Sequence, residues 1–449
     1  MDRKQGTLTK ERLRMGRPGG YRRTLVVLVA LAGFIGVANA APPELPESGL
    51  TIDQAVRIGL ANHPGLVEAR AKLDEQRAAV ESAGADYKPR LYAEGILRQG
   101  RQFGGANEGQ FTDDSEARVT VEQELHDFGE REATTRAARA EAEAAEVALF
   151  DARQRRVLAI RRQFYDLLLK EREVQVWNEA MAVGFVRWDY GQGKEELGQI
   201  SPVDLARRET RFRRFRGNYR EAQLDARLER VRLAHAMGLT DAIPTDLAEP
   251  EPDLERQLPN VEELRNRAWQ ANPRLVEARQ RMEAARARVD ASQARRWPRI
   301  TGEVVAQHYA RRFNFRNDME AAIRLEAPLY QGGRLAAQAE EAQARTQQAR
   351  ARWLQLRQTV EENIYQAHLA VQTLREKRQA AETEVAYRQL KTDLARTEYV
   401  LELETDLGDA LTNQTRAEMK LAEAKYGLAM AFDRLDALVG ESLAGKEKM

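Results

Sequence analysis

Two stretches of this chain contain no helix breaker. Residues 130–183 and 334–407 hold 54 and 74 residues without a glycine or a proline. At 1.5 Å per residue, continuous helices over them would run about 80 and 110 Å. A globular helix averages about three turns, so these segments read as rods, not as parts of one rounded core. In the second rod the apolar register is Leu335, Ala339, Ala342, Ala349, Trp353, Leu356, Val360, Ala367, Ala370 and Leu374. Thr346 and Asn363 fill its gaps, giving the 4-3 spacing of a coiled-coil seam. The first rod begins Ala133, Ala137, Ala140, Ala144, Val147 and resumes out of phase as Val157, Ile160, Phe164, Leu167, Val174. A phase break of this kind changes the local supercoil.

The prolines fall outside the rods, and their spacing shows a duplication. Leu66-Val67-Glu68-Ala69-Arg70 returns as Leu275-Val276-Glu277-Ala278-Arg279, 209 residues later. Pro64 falls on Pro273 and Pro89 on Pro298 at the same offset of 209. His63-Pro64 and Asn272-Pro273 each read as a helix start with proline in the first turn. Residues 239–260 carry four prolines and many acids, the composition of a linker between halves. The expected organisation is therefore a first repeat over 41–238, a linker over 239–260, a second repeat over 261–440 and a tail over 441–449.

After Pro89 and Pro298 the pattern changes to period two, the mark of a strand with one apolar and one polar face. Strands are expected near 90–98, 117–125, 299–309 and 319–327. Leu91, Ala93, Gly95 and Leu97 alternate with Tyr92, Glu94 and Ile96; Val119, Val121 and Leu125 alternate with Arg118, Thr120, Glu122 and Glu124. Ile300, Gly302, Val304 and Ala306 show the same alternation, as do Ala321, Ile323, Leu325 and Ala327. One reading is a small soluble sheet. The other is a membrane barrel with its apolar face outward, which four strands cannot close alone, because the smallest have about eight.

The first 40 residues read as an address. Residues 1–23 carry eight Lys/Arg and two acids, and 24–37 form an uncharged apolar run of 14. Ala38-Asn39-Ala40 follows as a cleavage site, so 1–40 reads as a secretory signal peptide. Removing it takes +6 from a formal charge of +1 and leaves −5, which gives nucleic acid no footing. The chain has no cysteine, so it has no thiol chemistry and no lipid-bearing cysteine. The five histidines show no metal-ligand spacing, and Gly191-Gln192-Gly193-Lys194 lacks the rest of a phosphate-binding loop. No catalytic constellation and no cofactor site emerge. Arg207, Arg208, Arg211, Arg213, Arg214, Arg216 and Arg220 form a basic run that reads as a solvated face.

Each rod folds back on itself. The first turns between Tyr190-Gly191-Gln192-Gly193 and Ser201-Pro202 and returns to Gly238; the second turns near 402–408 and returns to Gly440.

A leader, two matched halves, and two strands with a long hairpin in each resemble the TolC-type outer-membrane efflux proteins over about residues 50–440. Ala327-Pro328-Leu329-Tyr330-Gln331-Gly332-Gly333 resembles that family's turn from strand to helix, and Leu125-His126-Asp127-Phe128-Gly129 sits in the same place in the first half. Asp406-Leu407-Gly408-Asp409-Ala410 resembles its acidic tip segment, with Arg396 and Tyr399 upstream.

The resemblance implies a mainly α chain with a small β part. Homotrimers would close a 12-stranded transmembrane β-barrel continuous with a periplasmic α-helical coiled-coil barrel. The implied role is an exit duct for an efflux or type I secretion system, held in outer-membrane lipid and extending into the periplasm. A periplasmic adaptor and an inner-membrane transporter are the implied partners. Asp406 and Asp409 would ring a periplasmic gate held shut by Arg396 and Tyr399. Tyr190, Gly193, Ser201, Pro202, Asp204 and Glu402 would form the hairpin tips that meet the adaptor. Gly129, Pro328, Gly332 and Gly333 would make the strand-to-helix turns. The chief rival is a periplasmic coiled-coil adaptor or scaffold without its own pore; it predicts a single hairpin with compact β domains.

Overall fold

The computed structural model describes residues 49–101, 109, 111–240, 246–310, 317–401 and 406–443. The expected signal peptide, the tip residue Glu402 and most of both inter-strand loops lie outside the described residues.

The first half runs α1 (Ile52–Asn62), α2 (Pro64–Ala85), β1 (Arg90–Ile96), β2 (Gln99–Arg101), β3 (Phe111–Asp113), β4 (Glu116–His126), α3 (Glu130–Glu196) and α4 (Pro202–Ala236). The second runs α5 (Val261–Ala271), α6 (Pro273–Ala294), β5 (Arg299–Tyr309), β6 (Met319–Glu326), α7 (Arg334–Val400) and α8 (Leu407–Leu438). α1 and α5 have 11 residues each, α2 and α6 have 22, and α3 and α7 have 67, so the halves keep register over most of their length. Local chemistry sets the starts. Thr51 closes a capping box on α1, Asn272 Oδ1 accepts from Leu275 N at 3.2 Å, and prolines open α2, α4 and α6.

The helices form one layer. In its upper part the lateral order is α2, α3, α6, α7; in its lower part it is α4, α3, α8, α7. The core lies at mid-height. Val157, Ile160, Phe164 and Leu167 of α3 pack there with Val56, Leu233, Met237 and Tyr426. Val360, Ile364 and Ala367 of α7 pack with Leu264, Leu275 and Leu435. The described part of the segment expected as a linker is not a loose tether. Leu50 N donates to Asp246 O at 2.8 Å, and Arg256 holds Asp436 through two contacts of 2.9 Å.

One antiparallel sheet in the order β1-β4-β5-β6 stands on the helices. Its register aligns the apolar positions of all four strands. Leu91 opposes Val121, Val121 opposes Val304, and Val304 opposes Ala321. The other face carries Glu94, Arg118, Glu303 and Arg324, joined by the ion pairs Arg118–Glu94 at 3.1 Å and Arg324–Glu303 at 2.9 Å. The apolar face is exposed, with Ile323 77 % and Val304 39 % exposed; on the polar face the side chains of Glu303 and Arg324 are 25 % and 67 % exposed.

The structure refines these expectations. The first turn lies inside its expected bracket but is shorter: α3 continues through Tyr190 and Gly193 to Glu196, and the turn lies at 197–201 with Gly198 at φ 70°. Glycine weakens a helix interior by about 1 kcal/mol relative to alanine, yet two glycines here serve packing. A Cβ on Gly184 would meet Phe215 at 3.0 Å, and one on Gly191 would meet Arg208 at 3.0 Å, so both let α4 lie close. The second rod stops at Val400, eight positions before its first breaker, and Leu407 begins the return helix, in line with a turn near 402–408. The seam of α7 is also broader than a single 4-3 row. Ile364 and Val371 are fully buried beside Val360 and Ala367, because α7 packs against α5 and α6 as well as α8. Finally, β2 and β3 form a further antiparallel pair between the strands expected near 90–98 and 117–125.

Candidate functional site

The tips and the strand-to-helix turns are the places where the sequence puts function.

At the second tip, Asp406 precedes α8 and Asp409 lies in its first turn. Residues three apart share a helix face, and a helix N-terminus favours carboxylates. Both acids meet one cation, which comes from the other hairpin. Arg187 of α3 places Nη1 2.8 Å from Asp409 Oδ1 and Nη2 3.0 Å from Asp406 Oδ1. The Asp406 side chain is 84 % exposed and Arg187 31 %, so the link sits at the edge of water. Gly408 allows the approach. A Cβ there would lie 2.7 Å from Val183 Cγ2, one helical turn from Arg187. The Arg187 carbonyl in turn accepts from Arg208 Nη1 at 3.2 Å, which ties in α4.

Within one chain, the residues expected to hold the gate are not the partners of these acids. Arg396 and Tyr399 sit exposed on the last turns of α7. Among the described residues neither bonds to Asp406 or Asp409. The four are near in sequence, but α7 and α8 run antiparallel from the tip and present different faces. Arg187 gave no local signal: it is one of many arginines on a rod, more than 200 residues from its partners in sequence.

At the first tip, Ser201 caps α4. Its Oγ accepts from Asp204 N at 3.1 Å and donates to Asp204 Oδ2 at 2.8 Å, while Pro202 opens the helix. Asp204 also pairs with Arg207 at 3.1 Å. Tyr190 is exposed under the Lys194 ammonium, 4.8 Å from its ring, and Gly193 is an exposed helical residue. Phe185, Trp188 and Phe212 stack just above the tip, with Trp188 and Phe212 rings 5.4 Å apart.

The strand-to-helix turns are built differently in the two halves. Gly332 and Gly333 adopt φ 61° and 84°; in the first half Gly129 has φ 96°, but Phe128 takes φ 52° without the freedom of glycine. Its ring is held by His126 at 4.5 Å and Trp297 at 5.9 Å. Pro328 lies half-buried just past β6, where it cannot extend the ladder. Asp127 locks the first turn. Its carboxylate accepts from Gly129 N at 3.1 Å, Arg131 N at 2.8 Å and Arg131 Nε at 2.8 Å. Burial alone would raise the Asp127 carboxyl, but these bonds hold it below the usual carboxylate range.

The sequence profile of the outer membrane efflux protein family matches residues 56–239 and again 264–441. The chain belongs to the outer membrane efflux protein family. The profile matches once per half, in line with the duplicated element order. Solved structures share the fold at low identity. A membrane protein from Pseudomonas aeruginosa is 20 % identical, with 88 % of this chain and 91 % of that one covered and a TM-score of 0.74. The outer membrane protein VceC from Vibrio cholerae is 18 % identical, with 87 % and 96 % covered and a TM-score of 0.70. The open state of the MtrE outer membrane channel from Neisseria gonorrhoeae is 17 % identical, with 87 % and 89 % covered and a TM-score of 0.71. No curated protein matches in sequence.

Proposed function

We propose that three copies of this efflux-family chain close into one duct across the outer membrane and periplasm. The carrying observation is the sheet. Its apolar face is bare, and among the described residues β1 and β6 each have a strand neighbour on one side only. Unpaired edges and a bare apolar face are costly in water and are satisfied together by closure in lipid. Eight strands make a barrel filled by its own side chains, so two copies would leave no path. Three copies supply twelve strands and an open lumen with the polar face inward. Aromatic residues at the sheet's base, Tyr87, Phe128, Trp297 and Tyr330, are exposed, as a membrane-interface girdle requires.

The helices support the same closure. α2 and α4 form one lateral edge and α7 the other, and both carry exposed apolar residues: Val203, Leu224 and Leu228 against Tyr365, Leu390 and Leu394. Among the described residues no helix is long and apolar enough to cross a membrane. With no cysteine in the chain, we read the barrel and not a lipid as the anchor. The tips face a periplasmic adaptor and, through it, an inner-membrane transporter. Asp406 and Asp409, six carboxylates in a trimer, narrow the periplasmic mouth and favour cations there. An adaptor without a pore has no use for a sheet with two open edges and a bare apolar face.

Membrane fractionation and planar bilayers test this reading. The protein is expected in the outer membrane, to extract in detergent as a trimer and to conduct ions. Asp406→Ala with Asp409→Ala is expected to reduce cation preference. A water-soluble monomer that does not conduct would overturn the reading.

A further inference from the structure

The two halves of the chain repeat at fixed offsets. Glu130 opens α3 and Arg334 opens α7, each directly after a glycine of positive φ, so the rods align at an offset of 204. The same offset equates β4 with β6: Arg90 opposes Glu122, and Arg299 opposes Glu326. α2 and α6, each opened by proline, align at 209, as do Arg90 and Arg299 at the starts of β1 and β5. The junction of α3 with α6 inside one chain is therefore the pattern for the junction of α7 with α2 of a neighbouring copy.

Inside the chain, the top of that junction is an ion pair. Glu130 Oε1 accepts from Arg295 Nε at 2.7 Å, and its second oxygen accepts from Arg299 Nη2 at 2.8 Å. Arg295 is the C-cap residue of α6. Its counterpart, the C-cap residue of α2, is Asp86, and the counterpart of Glu130 is Arg334. Both charges are reversed, so the pair keeps its attraction. Among the described residues neither side chain meets an opposite charge: Arg334 bonds only to Gln331 Oε1, at 2.7 Å, and Asp86 is exposed.

We infer that Arg334 of each copy pairs with Asp86 of the neighbouring copy, a charge-reversed repeat of the Glu130–Arg295 contact that fixes how the copies join. Arg90, the counterpart of Arg299, stands opposite Glu122 in the ladder as Arg299 stands opposite Glu326, and is the like charge that this junction brings towards Arg334. The contact is local. Two turns lower, the in-chain pair Arg136–Asp290 maps onto Glu340 and Glu81, both acids. The ionic attachment of this seam is therefore concentrated at the top of the rods.

The strand offsets give an independent check. Within the chain, Val119 opposes Ala306 and Val121 opposes Val304. The same rule sets Ile323 against Leu97 and Leu325 against Gly95 of the next copy. All four sit on the apolar face, so a single register satisfies both the strands and the helices.

The inference rests on the trimeric reading, and the test separates the two. Arg334→Glu and Asp86→Lys are each expected to make the detergent-extracted oligomer dissociate at lower temperature, and the double variant to regain the parent's resistance. The cysteine-free background allows a direct probe. Asp86→Cys with Arg334→Cys, treated with a short bis-maleimide, is expected to link different copies covalently. Glu130→Cys with Arg295→Cys is expected to link within one chain, which gains one cross-linker and still runs as a single chain under denaturing conditions. An intact oligomer with no rescue and no inter-copy link would overturn the pairing and leave the duct standing. A parent protein that is monomeric in detergent and membranes would overturn both.

Discussion

The Arg187 guanidinium spans from the first hairpin to the second, 2.8 Å from Asp409 and 3.0 Å from Asp406. A half-exposed ion pair contributes only about 0.2–1 kcal/mol. In the proposed duct, that weakness would suit a tip opened by a docking partner. Replacing Arg187 with alanine leaves the α8 acids free to repel one another around the axis. We expect a larger mean single-channel conductance in planar bilayers at low salt, and a smaller variant-to-parent ratio at high salt, where such pairs are screened. A variant with the parent's conductance at low salt would remove Arg187 from the gate.

The latch depends on how closely α8 meets α3, and that distance is set at Gly408. Its missing Cβ would stand 2.7 Å from Val183 Cγ2 and 2.8 Å from Val183 Cγ1. Gly408→Val pushes the start of α8 away and should reproduce the conductance of Arg187→Ala. Gly408→Ala combined with Val183→Ala removes the clash and should restore the parent value. Conductance of the single and paired variants checks this. If the pair behaves like Gly408→Val, contact with Val183 is not what sets the latch.

Much of this architecture is visible in the sequence because it is written at short range. The strands announce themselves by alternation, and proline and Asn272 mark the helix starts. The repeat shows because its offset is constant. Helix ends were less legible. Gly184 and Gly191 look like breakers, and only the proximity of α4 explains why α3 runs through them. Residues 401–407 contain no breaker before Gly408, so nothing local shows that α7 stops at Val400. The site was legible by half: the acids stand out, but their cation does not. Arg187 meets them through a fold that brings distant segments together, whereas Arg396 and Tyr399 stood out through the family resemblance.

The mid-height core depends on one glycine that no other residue can replace cheaply. Gly440, just past α8, has φ 83°, and a Cβ there would fall 2.2 Å from the Ala271 carbonyl oxygen at the end of α5. The positive φ alone costs a side chain about 1–2 kcal/mol, and the overlap with backbone adds to it. Gly440→Ala should lower the thermal midpoint well below that of Gly84→Ala, a helical glycine with open space at its Cβ. Equal midpoints by calorimetry in detergent would contradict the close approach of Gly440 to the end of α5.

The cap of α2 should make stability depend on pH. His63 Nδ1 accepts from Gly65 N at 3.0 Å, so the cap requires a ring without a proton on that nitrogen. Burial pushes the His63 pKa below its usual 6.5, the Arg156 charge pushes it further, and a bond to the His235 carbonyl opposes them weakly. The folded pKa therefore lies below the unfolded one. Above about pH 6.5 the ring is neutral in both states and the contribution is complete. As pH falls, the unfolded chain takes up the proton first, and stability is lost until the folded pKa is passed. Asn272, at the same place in the second half, caps α6 without titrating. His63→Asn should keep the cap and flatten this part of the pH dependence, with Gly65→Ala as a variant that leaves the titrating ring in place. Thermal midpoints measured between pH 5 and 7.5 decide the matter: the parent should lose more than His63→Asn on acidification, and parallel curves would exclude His63 as the titrating cap.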